Sequence, residues 1–158
     1  MSDWNVPLTL TSERLPQTIA SRTRRTYDLL AGIYPASTFF FHAKAHRWAV
    51  ENSGILDGMR VLEVATGSGE MFRRLVRANP NGCTIGLDLS PNMAARTQRH
   101  ARTQNPGANV HCQAVDVRHM PFRGESFDAV MCCLLLELLA VEDISLTLRE
   151  IRRVLKPG

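Results

Sequence analysis

Apolar and polar positions follow two different periodicities along the chain, and the changes between them predict its elements. Short, mostly apolar runs at 60–64, 83–88, 109–113 and 127–134 predict four β-strands. The last run is apolar almost throughout, which is typical of a strand buried on both faces of a sheet. Helical spacing of apolar residues occupies the stretches between and after these runs.

Three helices are predicted among the strands. The first follows Gly69 and runs to about Ala78. The second opens at Ser90-Pro91, because serine caps free backbone N–H groups and proline suits the first helical position. The third begins near Glu142, whose charge suits a helix N-terminus. Its expected apolar stripe consists of Ile144, Leu148, Ile151 and Leu155.

The first 55 residues differ in character from the rest of the chain. Helical spacing predicts helices over about 13–30 and 38–52, and six of the ten aromatic residues lie between positions 27 and 48. This part is therefore predicted to be an aromatic helical layer ahead of the main fold. We divide the chain into an N-terminal arm and helical lid, 1–55, and a main domain, 56–158.

Strands that alternate with helices predict an α/β fold: a Rossmann-like, mainly parallel sheet with helices on both faces. Connections in such folds are right-handed, and ligands bind at the carboxyl ends of the strands, near the point where the strand order reverses. The sequence Val-Leu-Glu-Val-Ala-Thr-Gly-Ser-Gly-Glu at 61–70 reads as strand, tight turn and helix. Glycine permits the turn and lets a ligand approach bare backbone, so we expect the binding site there.

Three acidic residues are expected at this edge of the sheet. Glu63 lies near the end of the first strand, Asp88 ends the second and Asp116 follows the third. A carboxylate at Asp88 can accept both hydroxyl groups of a ribose, Asp116 could accept from an exocyclic amine, and Glu63 could order the loop or pair with a positive ligand group. The structural alternative for each acid is a helix cap or a solvated loop residue, but three acids around one glycine loop favour ligand binding.

The glycine pattern argues against a dinucleotide. The dinucleotide fingerprint GxGxxG would need a third glycine where Phe72 stands, and Glu63 and Glu70 would repel a pyrophosphate. A nucleoside that carries no phosphate suits the acidic surroundings better. An NAD-type oxidoreductase remains a competing hypothesis.

Composition and charge narrow the class of protein. The chain has 158 residues, with 19 basic and 15 acidic side chains dispersed along it, so no nucleic-acid partner is expected. Its four cysteines form no CxxC pair and lie in or beside apolar runs, which favours buried reduced thiols and a cytoplasmic location. The N-terminus lacks the pattern of a signal peptide, and no apolar run is long enough to cross a bilayer.

Five segments together resemble the class I S-adenosylmethionine-dependent methyltransferases, and among them the ubiquinone/menaquinone-biosynthesis C-methyltransferase-like group. They cover about residues 60–158 in the family's order and spacing. The segments are VLEVATGSG at 61–69, GLDLSPNM at 86–93, DVRHMPF at 116–122, SFDAV at 126–130 and EIRRVLKPG at 150–158.

The resemblance implies S-adenosyl-L-methionine as cofactor and a role for each matching residue. The turn after the first strand would hold the methionine part, Asp88 the ribose hydroxyls, Asp116 the adenine amine and the Val117 backbone N–H a ring nitrogen. Many members have glycine at position 65, but we expect the small Ala65 to be tolerated. The implied cofactor-binding residues are Tyr27, Glu63, Ala65, Thr66, Gly67, Gly69, Asp88, Leu89, Met93, Asp116, Val117 and Cys133.

The resemblance also implies methyl transfer to a small-molecule or lipid-like acceptor, with peripheral membrane contact possible. The family's sheet has seven strands, whereas this chain ends where strand five would begin, so we expect an incomplete chain or a second subunit that pairs with strand four. The alternative function is a truncated, non-catalytic protein that binds the cofactor or a partner. No catalytic residue is assigned; His42, His46, Tyr34 and Glu137 are candidates for a base by position alone, and no metal is expected.

Overall fold

The strands predicted from the apolar runs pair into one parallel sheet in the computed structural model, which describes the backbone of residues 36–158 and the side chains of residues 43–158. The predicted arm, the helix over 13–30, and Tyr27 and Tyr34 lie outside the described residues. In chain order the elements are α1 (Ala36–Glu51), β1 (Arg60–Val64), α2 (Glu70–Ala78), β2 (Cys83–Asp88), α3 (Pro91–Gln104), β3 (Asn109–Ala114), β4 (Ala129–Cys132), a 3-10 turn (Leu136–Leu138) and α4 (Val141–Val154).

The sheet has the strand order β3-β2-β1-β4, and all three pairings are parallel. The order reverses between β1 and β4, because the chain moves outward from β1 through β2 to β3 and then returns to the other side of β1. Parallel pairing brings the carboxyl ends of all four strands to one edge. That edge, beside the reversal point, is where ligands bind in open α/β sheets.

Alternating residues of the strands bury against different helices. Val61 packs with Met71 and Leu75 of α2, in a cluster that residues of α1 also contact. Its neighbour Leu62 belongs to the core on the opposite face, together with Val154 of α4. Within the described residues, α1, α2 and α3 therefore cover one face of the sheet and α4 covers the other, which confirms the predicted Rossmann-like arrangement.

Local sequence explains how the helices start near the site. The Ser90 hydroxyl accepts a hydrogen bond from the Met93 N–H, and Pro91 follows at the first helical position of α3. α2 begins directly after Gly69, whose φ of 80° lies in the left-handed region that glycine tolerates. Position 86 in β2 also requires glycine, but for lack of space: a Cβ there would lie 2.6 Å from Thr66 Cγ2 and 2.9 Å from Phe72 Cε2.

Two expectations about packing are wrong. β4 covers only Ala129–Cys132 instead of 127–134, and its four residues are half-buried rather than buried on both faces. The strand is short because Leu134 turns the chain at a φ of 57°, while Phe127 forms a parallel bridge with Leu155 instead of lying in β4. In α4 the residues that become buried are Thr147 and Val154, whereas Leu148 is 47% exposed, so the helix is rotated relative to the expected stripe.

The segment that follows α4 pairs with the residues just before β4. Leu155 pairs with Phe127, and the Lys156 N–H donates to the Phe127 carbonyl at 2.9 Å. Within the described residues, β4 itself pairs along its length with β1. No helix in this part of the chain is long and apolar enough to span a membrane.

Candidate functional site

The loop between β1 and α2 is a tight turn held against the end of β2. Ala65, Gly67 and Gly69 all have positive φ, of 61°, 50° and 80°. The Thr66 N–H donates to the Leu87 carbonyl at 2.9 Å, and the Gly69 N–H donates to the Thr66 carbonyl at 2.8 Å. Ala65 is accommodated, but a left-handed conformation costs an alanine about 1–2 kcal/mol, so glycine would fit this position better.

Asp88 ties this loop to the start of α3. Its Oδ2 accepts from the Gly67 N–H at 2.7 Å, and its Oδ1 accepts from the Ser90 N–H at 2.8 Å. A carboxylate has about four acceptor positions, so both oxygens can still receive a ligand hydroxyl. The side chain predicted to read a ribose is therefore also a structural tether, which the sequence did not reveal.

Glu63 is the most unusual charged residue of the site. It is only 2% exposed, and its Oε2 atom is buried without a hydrogen-bond partner. Burial, and to a lesser degree the negative charge of Asp88, raises the pKa of Glu63 well above its ordinary value. A buried acceptor of this kind is stabilised by a positive group placed next to it.

Asp116 has a partner that the sequence interpretation missed. The Arg118 Nε donates to both carboxylate oxygens of Asp116, at 2.9 Å and 3.1 Å. Its Nη1 donates to Asp143, in the first turn of α4, at 3.0 Å. Burial opposes ionisation of Asp116, but the hydrogen bonds from the Arg118 side chain and backbone outweigh it and hold its pKa below the ordinary value. The D-x-R spacing was a signal, but it did not identify Asp143 as the second partner.

The other described residues of the predicted site lie at or next to the carboxyl ends of the strands. Leu89 and Met93 are half-buried at the start of α3, and the Val117 side chain is buried in the core. Cys133 follows β4 and packs against the cluster around Val61; burial, and to a lesser degree the charge of Glu63, raises the pKa of its thiol. Tyr27 lies outside the described residues.

The thiols and candidate bases add little chemistry to the site. Burial raises the pKa of Cys132 to about 11, so its thiol stays protonated at neutral pH. Glu137 is exposed in the 3-10 turn that follows β4, and His46 is half-buried on α1. The side chain of His42 lies outside the described residues. No cluster of metal-ligating side chains occurs among the residues described.

The residues present fit a phosphate-free, positively charged nucleoside such as S-adenosylmethionine. Buried acceptors without partners, Glu63 Oε2 and Thr66 Oγ1, lie at the turn. Apart from Gly67 and its two neighbours in the chain, no residue has a heavy atom within 4 Å of the place where a Cβ on Gly67 would be, so the loop has open space beside it. A surface cavity of about 440 Å³ lined by Arg77, Pro80 and Asn105 lies by the C-terminal ends of α2 and α3, away from this site.

Comparison with known proteins gives the same assignment. Residues 61–158 match the family model described as a methyltransferase domain. A 2-phytyl-1,4-naphtoquinone methyltransferase of Nostoc sp. is 30% identical over 145 residues, which cover 89% of this chain and 62% of that protein. A ubiquinone/menaquinone biosynthesis C-methyltransferase of Desulfotalea psychrophila is 31% identical over 138 residues, covering 85% of this chain and 54% of that protein. The chain thus spans between half and two thirds of the length of these relatives.

Solved structures agree on the fold. The [4+2]-cyclase SpnF is 28% identical with a TM-score of 0.66, over 73% of this chain and 42% of that one. An S-adenosylmethionine-dependent methyltransferase from Aquifex aeolicus has a TM-score of 0.60 at 22% identity, over 71% of this chain and 58% of that one. The chain therefore belongs to the methyltransferase-domain family, within the class I S-adenosylmethionine-dependent, ubiquinone/menaquinone C-methyltransferase-like group.

Proposed function

We propose that this chain forms the cofactor-binding part of a methyltransferase that acts on a quinone-like or other lipid-like small molecule. The observation that carries the proposal is the acidic glycine turn: Glu63 and Asp88 converge on a loop with open space at Gly67. That environment suits a nucleoside with a positive charge and no phosphate. The names of the relatives support the acceptor class.

Each site residue then has a proposed role. Glu63 and the backbone from Ala65 to Gly69, including Thr66, would hold the methionine part, and its ammonium group would neutralise the buried Glu63 carboxylate. Asp88 would accept from the ribose hydroxyls while it keeps its bonds to Gly67 and Ser90.

The adenine would lie between two segments. Leu89 and Met93 would contact its ring on the α3 side. Asp116 would accept a hydrogen bond from the adenine amine through a lone pair that Arg118 does not occupy. The Val117 N–H would donate to a ring nitrogen. Cys133 would border the reacting sulfur, and Tyr27 would close over the cofactor.

The chemistry asks little of the protein beyond position. When bound, S-adenosylmethionine supplies a methyl group already activated on a sulfonium. The turn and the strand ends would orient that group and exclude water, which can provide most of the rate enhancement. A base would be needed only if the acceptor must lose a proton, and no residue is assigned that role.

The setting of this activity is also a proposal. All four cysteines are free thiols, which supports the cytoplasm as location. The outer edge of β4 supports pairing with a further strand, either of a longer chain or of a second copy of this one.

A second candidate is a cofactor-binding protein that does not transfer methyl groups. The likeness to a protein named as a [4+2]-cyclase favours it, because that name describes a reaction other than methyl transfer. The two candidates share the cofactor site and differ in whether the bound cofactor gives up its methyl group.

Titration calorimetry with S-adenosylhomocysteine, together with a methyl-transfer assay, tests both candidates. We expect the folded chain to bind S-adenosylhomocysteine and not NAD, and transfer of labelled methyl to a demethylated naphthoquinone supports the first candidate. Binding without transfer, in a protein whose chain length has been checked against its gene, favours the second. Binding of NAD in place of S-adenosylhomocysteine would refute both.

A further inference from the structure

Charge is distributed unevenly between the two faces of the sheet. The three helices on one face carry eight lysine and arginine side chains and only two acids, Glu51 and Glu70. On the other face, α4 has three arginines and three acids. The basic residues of the first group are Lys44, Arg47, Arg73, Arg74, Arg77, Arg96, Arg99 and Arg102. Folding therefore gathers onto one face basic residues that are dispersed in the sequence; we call this set the basic face.

Six residues of the basic face are exposed to solvent, whereas Arg73 and Arg74 are half-buried and both pair with Glu70. On α3 the three arginines succeed one another at three-residue intervals and are all exposed, while Ala94, Thr97 and Ala101 are buried against the sheet side. On α1 the inward residues Ala49 and Val50 pack against the cluster around Val61. Among the described side chains of α1, the exposed ones are Lys44, Ala45, Arg47, Trp48 and Glu51, so the aromatic side chain exposed in this part of the helix lies among charged residues.

That aromatic side chain is Trp48. It is 67% exposed and lies on the same stripe of α1 as the exposed Lys44 and Arg47. Leu56, in the segment after α1, is 65% exposed. Large apolar groups flanked by cations are suited to the interface of a bilayer, where the ring enters the headgroup layer and the cations meet anionic lipids.

We propose that the basic face of α1, α2 and α3 is a docking surface for an anionic membrane, with Trp48 as its interfacial anchor. A nucleic acid would also attract the arginines, but phosphate contacts give no reason to expose Trp48 and Leu56 beside them. The proposal does not depend on methyl transfer, because vesicle binding can be measured without cofactor or acceptor.

The test is co-sedimentation of the 158-residue chain with vesicles at low and moderate salt. We expect binding to vesicles that contain phosphatidylglycerol, little binding to pure phosphatidylcholine, and weakening as salt rises. Each basic residue near an anionic surface contributes about fivefold to partitioning. The double variant Arg47→Gln/Arg99→Gln should therefore lose about tenfold or more in binding to anionic vesicles.

Matched controls distinguish an effect of the basic face from an effect of the protein's net charge. Arg149→Gln/Arg152→Gln removes the same charge from exposed positions of α4 and should reduce vesicle binding by less than about threefold. Trp48→Ala should reduce it severalfold without changing net charge. Circular dichroism and S-adenosylhomocysteine titration monitor the fold and the cofactor site of every variant.

Three outcomes would overturn the proposal. They are equal losses in both arginine pairs, no effect of Trp48→Ala, and no binding to anionic vesicles at low salt. Tighter binding to a duplex DNA oligonucleotide than to the vesicles, with the same dependence on Arg47 and Arg99, would assign the face to nucleic acid instead.

Discussion

Replacing Glu63 by glutamine should make the protein more stable at neutral pH and a poorer cofactor binder. The side chain is 2% exposed and has a buried Oε2 without a partner. Burial and the charge of Asp88 raise its pKa well above 4.5, the ordinary value. The folded protein therefore keeps a proton on Glu63 at pH values above 4.5 where the unfolded chain has already released it.

The sign and size of the pH effect result from that difference. Below about pH 4.5 the carboxyl is neutral in both states and the glutamine substitution should be nearly silent. Above it the unfolded state binds fewer protons, so the free energy of unfolding of the wild type falls relative to Glu63→Gln by about 1.4 kcal/mol per pH unit. The loss continues until the pH passes the raised pKa of Glu63, and is constant above it.

Cofactor binding should move in the opposite direction. If the methionine ammonium pairs with ionised Glu63, binding releases a proton at any pH where Glu63 is protonated in the free protein, and the glutamine variant loses a charged hydrogen bond of about 1.5–3 kcal/mol. Urea denaturation of both proteins from about pH 4 to 8 measures the first effect. Calorimetry with S-adenosylhomocysteine in two buffers of different ionisation enthalpy measures the second.

Two results would contradict the role given to Glu63. If the difference in free energy of unfolding between wild type and Glu63→Gln does not change with pH, the carboxyl does not titrate abnormally. If the variant binds S-adenosylhomocysteine as tightly as the wild type, Glu63 does not contact the ammonium group, even where its effect on stability is as expected.

Four other substitutions test the site. Asp88→Ala should weaken S-adenosylhomocysteine binding by about 1–3 kcal/mol, and unchanged affinity in calorimetry would remove Asp88 from the site. Ala65→Gly should raise the free energy of unfolding by about 0.5 kcal/mol, because relief of the positive φ outweighs the entropy of glycine; a decrease in urea denaturation would contradict the strain at that residue. Gly86→Ala should destabilise by about 1–3 kcal/mol, since its Cβ would lie 2.6 Å from Thr66 Cγ2, and a neutral result would mean that the turn moves freely. Arg118→Gln should lower the free energy of unfolding by about 1–3 kcal/mol and raise the pKa of Asp116, which carbon-13 NMR can monitor. An unchanged pKa would show that other groups stabilise the ionised Asp116.

Local signals predicted most of the fold. The strand, turn and helix around 61–70 arise from contiguous residues, and Ser90-Pro91 fixes the start of α3 whatever the rest of the chain does. Elements such as α2 and β2 end where expected because glycine, proline and capping residues act over a few positions. The fold class was predictable from the alternation of strands and helices.

Features that depend on distant partners were not predictable. Arg118 could have paired with any nearby acid, and only the packing of α4 brings Asp143 to it. Leu148 belongs to an apolar stripe by spacing, but the way α4 packs on the sheet buries Thr147 and Val154 instead. The basic face was invisible for the same reason, since its arginines are far apart in sequence and meet only when the helices pack on one side of the sheet.

The two bonds of Asp88 have a consequence for how the site responds to its ligand. They fix Gly67 and Ser90 before any ligand arrives, so the entropy cost of ordering the turn belongs to folding and not to binding. The turn should accordingly exchange its Gly67 amide hydrogen slowly even without ligand. Evolution of tighter or looser binding at this site would then act through the contacts of the ligand, because the shape of the loop is already settled by the sheet.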